Sequence, residues 1–175
     1  RSKEVKGISN SWERPKINIQ RTKSELALDI IGYTVYSGSI VFLMINLSAL
    51  PEKVPAHFNA AGEVDRFGPK VEMIILPIVG AFVAGLMQWI ERFPEKHNYP
   101  QRLNENNVKE FYLVSRKMMN RLKNICLLFF ALSSFEIITI AQGLENPLGN
   151  WLFPALIVSV AIVIVYGIIK QVKIR

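Results

Sequence analysis

His57, Asn59, Glu63 and Asp65 fall within nine residues of one another, in a stretch from Pro51 to Lys70 that also holds Pro55, Gly62, Arg66 and Gly68. One imidazole with two carboxylates at this spacing suits metal ligation, proton transfer or the bonding of tight turns. A closed tetrahedral zinc site is poorly supplied, because the stretch has no second His, no Cys and no H-E-x-x-H helix, so no metal is expected. Turn chemistry fits better: Pro51 and Pro55 block helix, while Gly62 and Gly68 permit positive φ. Asn59 and Asp65 would accept turn N–H groups, giving an ordered cap with two tight turns. Phe58 and Phe67 would pin it to helix ends or to a bilayer surface.

Glu136 is the second residue of chemical interest. It stands alone in an apolar run, seven residues before Gly143, or about 10 Å along a helix at ~1.5 Å per residue. Ser133 and Thr139 flank it at helical spacing. A carboxylate at that depth in lipid is costly unless protonated or paired. Asn46 falls at comparable depth in an earlier run. The expectation is one outer polar cluster joining Glu136, Asn46 and the loop residues His57, Arg66 and Lys70. It would act as a structural ion pair or as a small pocket open to the outside. Hydrolytic machinery is thin, since G-x-S-x-G is absent and no His accompanies Ser133 and Ser134. Walker A and G-x-G-x-x-G are absent too, so no nucleotide cofactor and no catalytic residue is assigned.

The elements that must position these residues are four apolar runs. Residues 30–50, 73–90 and 151–169 carry no charge, and 125–143 carries Glu136 alone. Each approaches the roughly 20 residues a helix needs to cross ~30 Å of hydrocarbon, and lipid leaves backbone no partner except its own helix. The chain therefore reads as an all-α, four-span membrane protein. Lys and Arg number 18 in the tail before residue 30, the 91–124 segment and the C-terminal tail, against 3 in the 51–70 loop and none in 144–150. That asymmetry puts both termini and the 91–124 segment in the cytoplasm. The net charge of +7 then reads as topology and attraction to anionic lipids, with no nucleic-acid partner.

Residues 1–21 read as a loose basic tail, and Thr22 with Glu25 as a capping box that opens a helix. The domain proper is 22–143, followed by a fourth span at 151–169 and a short tail at 170–175. The first apolar run would serve as an uncleaved signal anchor. Gly80 with Ala84 and Ala81 with Gly85 form overlapping small-residue pairs suited to close packing in lipid. Asn98, Tyr99 and Pro100 belong to a turn-rich connector. From 104 to 124, Val108, Phe111, Tyr112, Met118, Met119 and Leu122 recur at helical spacing. Arg116, Lys117, Arg121 and Lys123 fill the surface between them. This predicts a basic amphipathic helix that lies on the cytoplasmic face and runs into the third span, an anchor or a docking surface for a cytoplasmic protein. The lone Cys126 permits no internal disulfide.

The loop pattern Val54-Pro55-x-His57-Phe58-Asn59-x-x-Gly62-x-x-Asp65-x-x-Gly68-x-Lys70 resembles a bacterial membrane domain found at the N-terminus of SdpI-type toxin-immunity proteins. Asn98-Tyr99-Pro100, followed by a helix with paired Met and Arg, adds to the likeness, which covers roughly 24–142. The resemblance implies a multi-pass protein of the bacterial plasma membrane and, in the SdpI case, protection against a secreted peptide toxin. The expected function is a non-enzymatic binding module whose outer loop and Glu136 meet an extracellular peptide, a lipid or a partner membrane protein. The alternatives are an accessory subunit of a transporter complex, and a membrane enzyme using Glu136 or His57.

Overall fold

The computed structural model describes residues 12–59, 61–144 and 148–175. Arg1, Lys3 and Lys6 of the basic tail lie outside them. Four helices carry the structure: α1 (Lys23–Asn46), α2 (Ile75–Glu91), α3 (Val108–Ala141) and α4 (Leu152–Val172). With the 3-10 turns that lead into α2 and α4, all four are long and apolar enough to cross a membrane. This is the architecture of a multi-pass membrane protein. The largest exposed side chains fit that setting, since Met44, Ile45, Phe82 and Trp151 each leave 70% or more of their surface uncovered. In lipid such faces need no protein cover.

The all-α expectation is corrected by a two-stranded antiparallel sheet, β1 (Lys53–Phe58) and β2 (Val64–Pro69), between α1 and α2. One end of the hairpin is anchored in the bundle and the rest is open. Val54 is fully buried and joins Leu43, Leu50, Met73 and Ile138 in a core cluster, while His57, Asp65, Arg66 and Phe67 face outward. The expected pair of turns is one connection. The Gly62 amide donates to the Asn59 carbonyl at 2.9 Å, and the Asn59 side chain accepts from the amides of Ala61 and Glu63. Gly62 has φ +80°, a backbone state that glycine enters without a Cβ penalty.

Helix boundaries depart from the apolar runs at the border opposite the hairpin. α1 starts seven residues before the first run, at Lys23 with Thr22 as N-cap in a full capping box. The expected interfacial helix 104–124 and third span 125–143 form one 34-residue helix, α3. The physical reason is common to both. Glu25, Asp29, Arg116 and Lys123 neutralise one another inside the bundle, so the charges extend the helices instead of ending them.

α3 is the hub, and α1, α2 and α4 all pack against it. Tyr36 bridges α1 to α2 by donating its hydroxyl to the Pro77 carbonyl. Gly80 lies against Tyr36 and Phe130, so the pair formed with Ala84 is used within the chain. Ala81 and Gly85 face outward. Gly32 allows the closest α1–α3 approach, because a Cβ there would stand 2.1 Å from Oδ1 of Asn124.

Gly32→Ala should therefore lower the thermal midpoint in detergent, consistent with an overpacking cost of about 1–3 kcal/mol. Adding Gly32→Ala to Asn124→Ala should cost distinctly less than adding it to wild type. Equal costs in both backgrounds would show that this contact does not limit the approach.

Candidate functional site

Polar side chains gather at two places. The first lies beneath the hairpin. Here α3 contributes Phe129, Ser133 and Glu136, α4 contributes Phe153, and β1 contributes His57 and Phe58, around a cavity of about 260 Å³. Glu136 is only 6% exposed. Nδ1 of His57 lies 2.6 Å from Oδ1 of Asp65, so the two outward residues of facing strands pair. Gly62 packs tightly on Asn150, where a Cβ would come within 3.0 Å of Oδ1. The hairpin tip thus meets the start of α4.

The expected outer cluster is divided by this arrangement. His57 and Glu136 share the cavity, but Asn46 is a helix end away. Its Nδ2 donates to the Phe42 carbonyl, and its Oδ1 accepts from Gln142 at 2.8 Å. Arg66 turns along the hairpin to Glu72 at 2.7 Å and to the Ala56 carbonyl, and the Glu72 contact raises its pKa above the ordinary value. Lys70 pairs with Glu52 at 3.1 Å and donates to the Leu50 carbonyl. Nδ2 of Asn59 donates to Glu63. Strand pairing brings these groups together two by two, so they do not converge on Glu136. Among the described residues, no three of His, Cys, Asp and Glu are placed to hold a metal ion.

The second gathering is at the opposite border, and it is the larger. Arg116 holds the Glu25 carboxylate with two of its three nitrogens, Nε at 2.8 Å and Nη2 at 3.0 Å. Lys123, fully buried, contacts Asp29 and Glu91 at 2.9 Å each and donates to Gln88 at 2.6 Å. Arg21 pairs with Asp29 and reaches Glu91. Asn120 and Asn124 both donate to Asp29, at 2.8 and 2.9 Å. Three cations thus meet three carboxylates, with buried amides filling the remaining acceptor sites. Burial works against the charge of Arg21, and the carboxylates of Asp29 and Glu91 outweigh it, so its pKa lies above the ordinary value.

Residues 12–21, expected as a loose tail, are a strap held over this network. Arg116 donates to the carbonyls of Ile19 and Gln20. Arg14 donates to the His97 carbonyl at 2.7 Å and lies over the Tyr99 ring. Nε2 of His97 donates to the Ile90 carbonyl, and its Nδ1 meets the Ser115 hydroxyl at 2.6 Å. Burial pushes the Tyr99 phenol up to about 12, against the opposing effect of Ser115; its ring packs on Phe111 and Tyr112.

The expected surface role of Arg116 and Lys123 is therefore corrected. Arg121 is half-buried with its guanidinium over Tyr166 of α4, and Lys117 is half-buried. Asn98 and Pro100 are exposed in the connector. Sequence reasoning missed Glu91, Asn120, Lys123 and Asn124 as a site. A signal was available, since Arg116, Asn120, Lys123 and Asn124 follow Phe111 and Tyr112 along one helical face and precede Leu127. Such a face is too polar for lipid and too apolar for water.

The segment from mid-α1 through the hairpin into α2 is the part of the chain that a family model matches. A family described as a domain of unknown function (DUF1648) covers residues 36–81. An uncharacterised protein of Archaeoglobus fulgidus is 41% identical over 75 residues, which is 42% of this chain and 39% of that protein. This chain therefore spans well under half of that relative. No solved structure matches.

Removing one buried partner leaves the others uncompensated, at about 3–5 kcal/mol. Lys123→Met should accordingly lower the thermal midpoint strongly. The double variant Lys123→Met, Glu91→Met restores charge balance and should recover part of that loss. A single variant as stable as wild type would remove the network from the list of what holds α1 and α2 to α3.

Proposed function

We propose that this chain is a non-enzymatic binding module of a bacterial plasma membrane, with both termini in the cytoplasm and the hairpin outside. Its ligand is the cationic, apolar end of a peptide or of a partner membrane protein. The observation that carries this reading is the cavity beneath the hairpin. Glu136 places a carboxyl group in its wall, and Phe58, Phe129 and Phe153 supply apolar surface. Cavities of this kind, mostly apolar with few polar groups, are where ligands bind. The orientation follows from the Lys and Arg asymmetry. Immunity to a secreted peptide toxin, the role that the SdpI-type resemblance implies, is one purpose of such a module; envelope sensing is another.

Two measurements test this. In a Cys126→Ser background, Glu63→Cys should react with an impermeant maleimide on intact cells, and Lys109→Cys only after permeabilisation; the reverse pattern would invert the topology. In nanodiscs, a short Lys/Leu peptide should bind and its Glu/Leu counterpart should not. Glu136→Gln should weaken the Lys/Leu peptide at least about tenfold, as expected when one member of a desolvated charge pair is removed. Binding of the Lys/Leu peptide that is unaltered by Glu136→Gln would dismiss the cavity as its site.

The His57–Asp65 pair favours a second reading. Asp65 on Nδ1 orients the imidazole in the way a general base is oriented, and Ser133 and Glu136 line the same cavity. A membrane enzyme of this kind would lose its activity in His57→Ala, whereas the peptide binding of a module would survive that change with a modest loss.

A further inference from the structure

A cavity of about 550 Å³ lies between the strap and the inner end of α2. The buried network forms part of its wall through Arg21, Glu91 and Arg116. Those charges are matched inside the network by Asp29, Glu25 and Lys123. Lys16 from the strap and Arg92 from the end of α2 also line it. Both are exposed, and among the described residues neither has an ion pair. The side chain of Arg21 is 45% exposed as well. The cavity thus offers two uncommitted cations and a third that is only partly covered, against the one further carboxylate of Glu95.

Its position adds a second constraint. Arg92 directly follows α2, and Trp89, one turn back, leaves 55% of its surface open. An exposed Trp beside a basic residue at a span end marks the depth of lipid headgroups. At that depth, Lys and Arg attract anionic lipid, and Arg offers paired donors to phosphate oxygens.

We propose that this strap cavity is a phosphate-ester site, with Lys16 and Arg92 as its principal ligands and Arg21 as a third. Its occupant is the phosphate of an anionic phospholipid headgroup or a free phosphate ester, chemically the same group. Exposed basic residues elsewhere at this border would attract the bilayer diffusely. The cavity differs in placing cations from two separate segments around one space.

The test uses the full chain, purified in a zwitterionic detergent and examined by native mass spectrometry with added phosphatidylglycerol or phosphatidylcholine. Wild type should retain one phosphatidylglycerol and no phosphatidylcholine. The pair Lys16→Gln, Arg92→Gln should weaken retention about tenfold or more, in line with the loss of two near-surface cations. The control pair Lys109→Gln, Lys173→Gln removes the same charge from exposed positions outside the cavity and should leave retention as in wild type. All the lipid-free proteins should melt alike, since the four positions are exposed. Displacement of phosphatidylglycerol by millimolar inorganic phosphate would place a free phosphate ester as the occupant, and resistance to it would place the lipid there. Equal losses in the two pairs, or no retained phosphatidylglycerol in wild type, would overturn the proposal.

Discussion

Charge neutrality at one membrane border is the constraint on which the rest of this molecule depends. Six ionised groups from the strap, α1, α2 and α3 meet where water is scarce. Desolvating any one alone would cost more than a helix contact returns. Their geometry meets the two conditions under which burial of charge is tolerated: opposite signs in contact, and further hydrogen bonds on the remaining acceptors. The network fixes both the rotation and the depth of α1 and α2 against α3. Gly32 then sets how near α1 may come, and Tyr36 ties α2 to α1 across the gap.

At the other border the hairpin uses different physics. Its hold on the bundle is apolar, through Val54 among Leu43, Leu50, Met73 and Ile138. Its polar groups are consumed locally, in His57–Asp65, Arg66–Glu72 and Asn59–Glu63. The two ends of the bundle thus divide the work. One is locked by buried ions, and the other is capped by a small sheet resting on helix ends. The cavity under that sheet has walls from four elements, so its shape follows the hairpin's seat on α4 as much as α3 itself.

Much of this was legible in the sequence. Long uncharged runs give four membrane helices, and Thr22 with Glu25 gives the start of the first. The turn residues of the outer loop locate an ordered structure there. The β-pairing was hidden because Pro55 and two glycines read as turns, while neither short strand shows an alternation that could outweigh them. The inner network was hidden for a different reason. Charges beside an apolar run read as its end, and only knowledge of a partner helix shows that Asp29 and Lys123 lie inside. The strap had no periodicity to betray it, since Arg14 and Arg116 grip backbone carbonyls, which every residue has. Beneath the hairpin, His57 and Glu136 do share one cavity, but local pairing carried Arg66 and Lys70 elsewhere, and Asn46 is held at the end of α1 by Gln142.

The buried ion network also imposes an order on biosynthesis. Glu25 precedes its partner Arg116 by 91 residues, a delay of about 5–18 s at usual rates of chain elongation. Asp29 has Arg21 only eight residues away, so it enters the bilayer already accompanied. Glu25 lies in the field of the same Arg21, and with its capping box it can rest at the headgroup level until α3 brings Arg116. The first two spans are thus threaded with Tyr36–Pro77 and Arg21–Glu91 as their links, before the α3 residues that neutralise the network exist. Arrival of the third span completes the charge balance and closes the bundle.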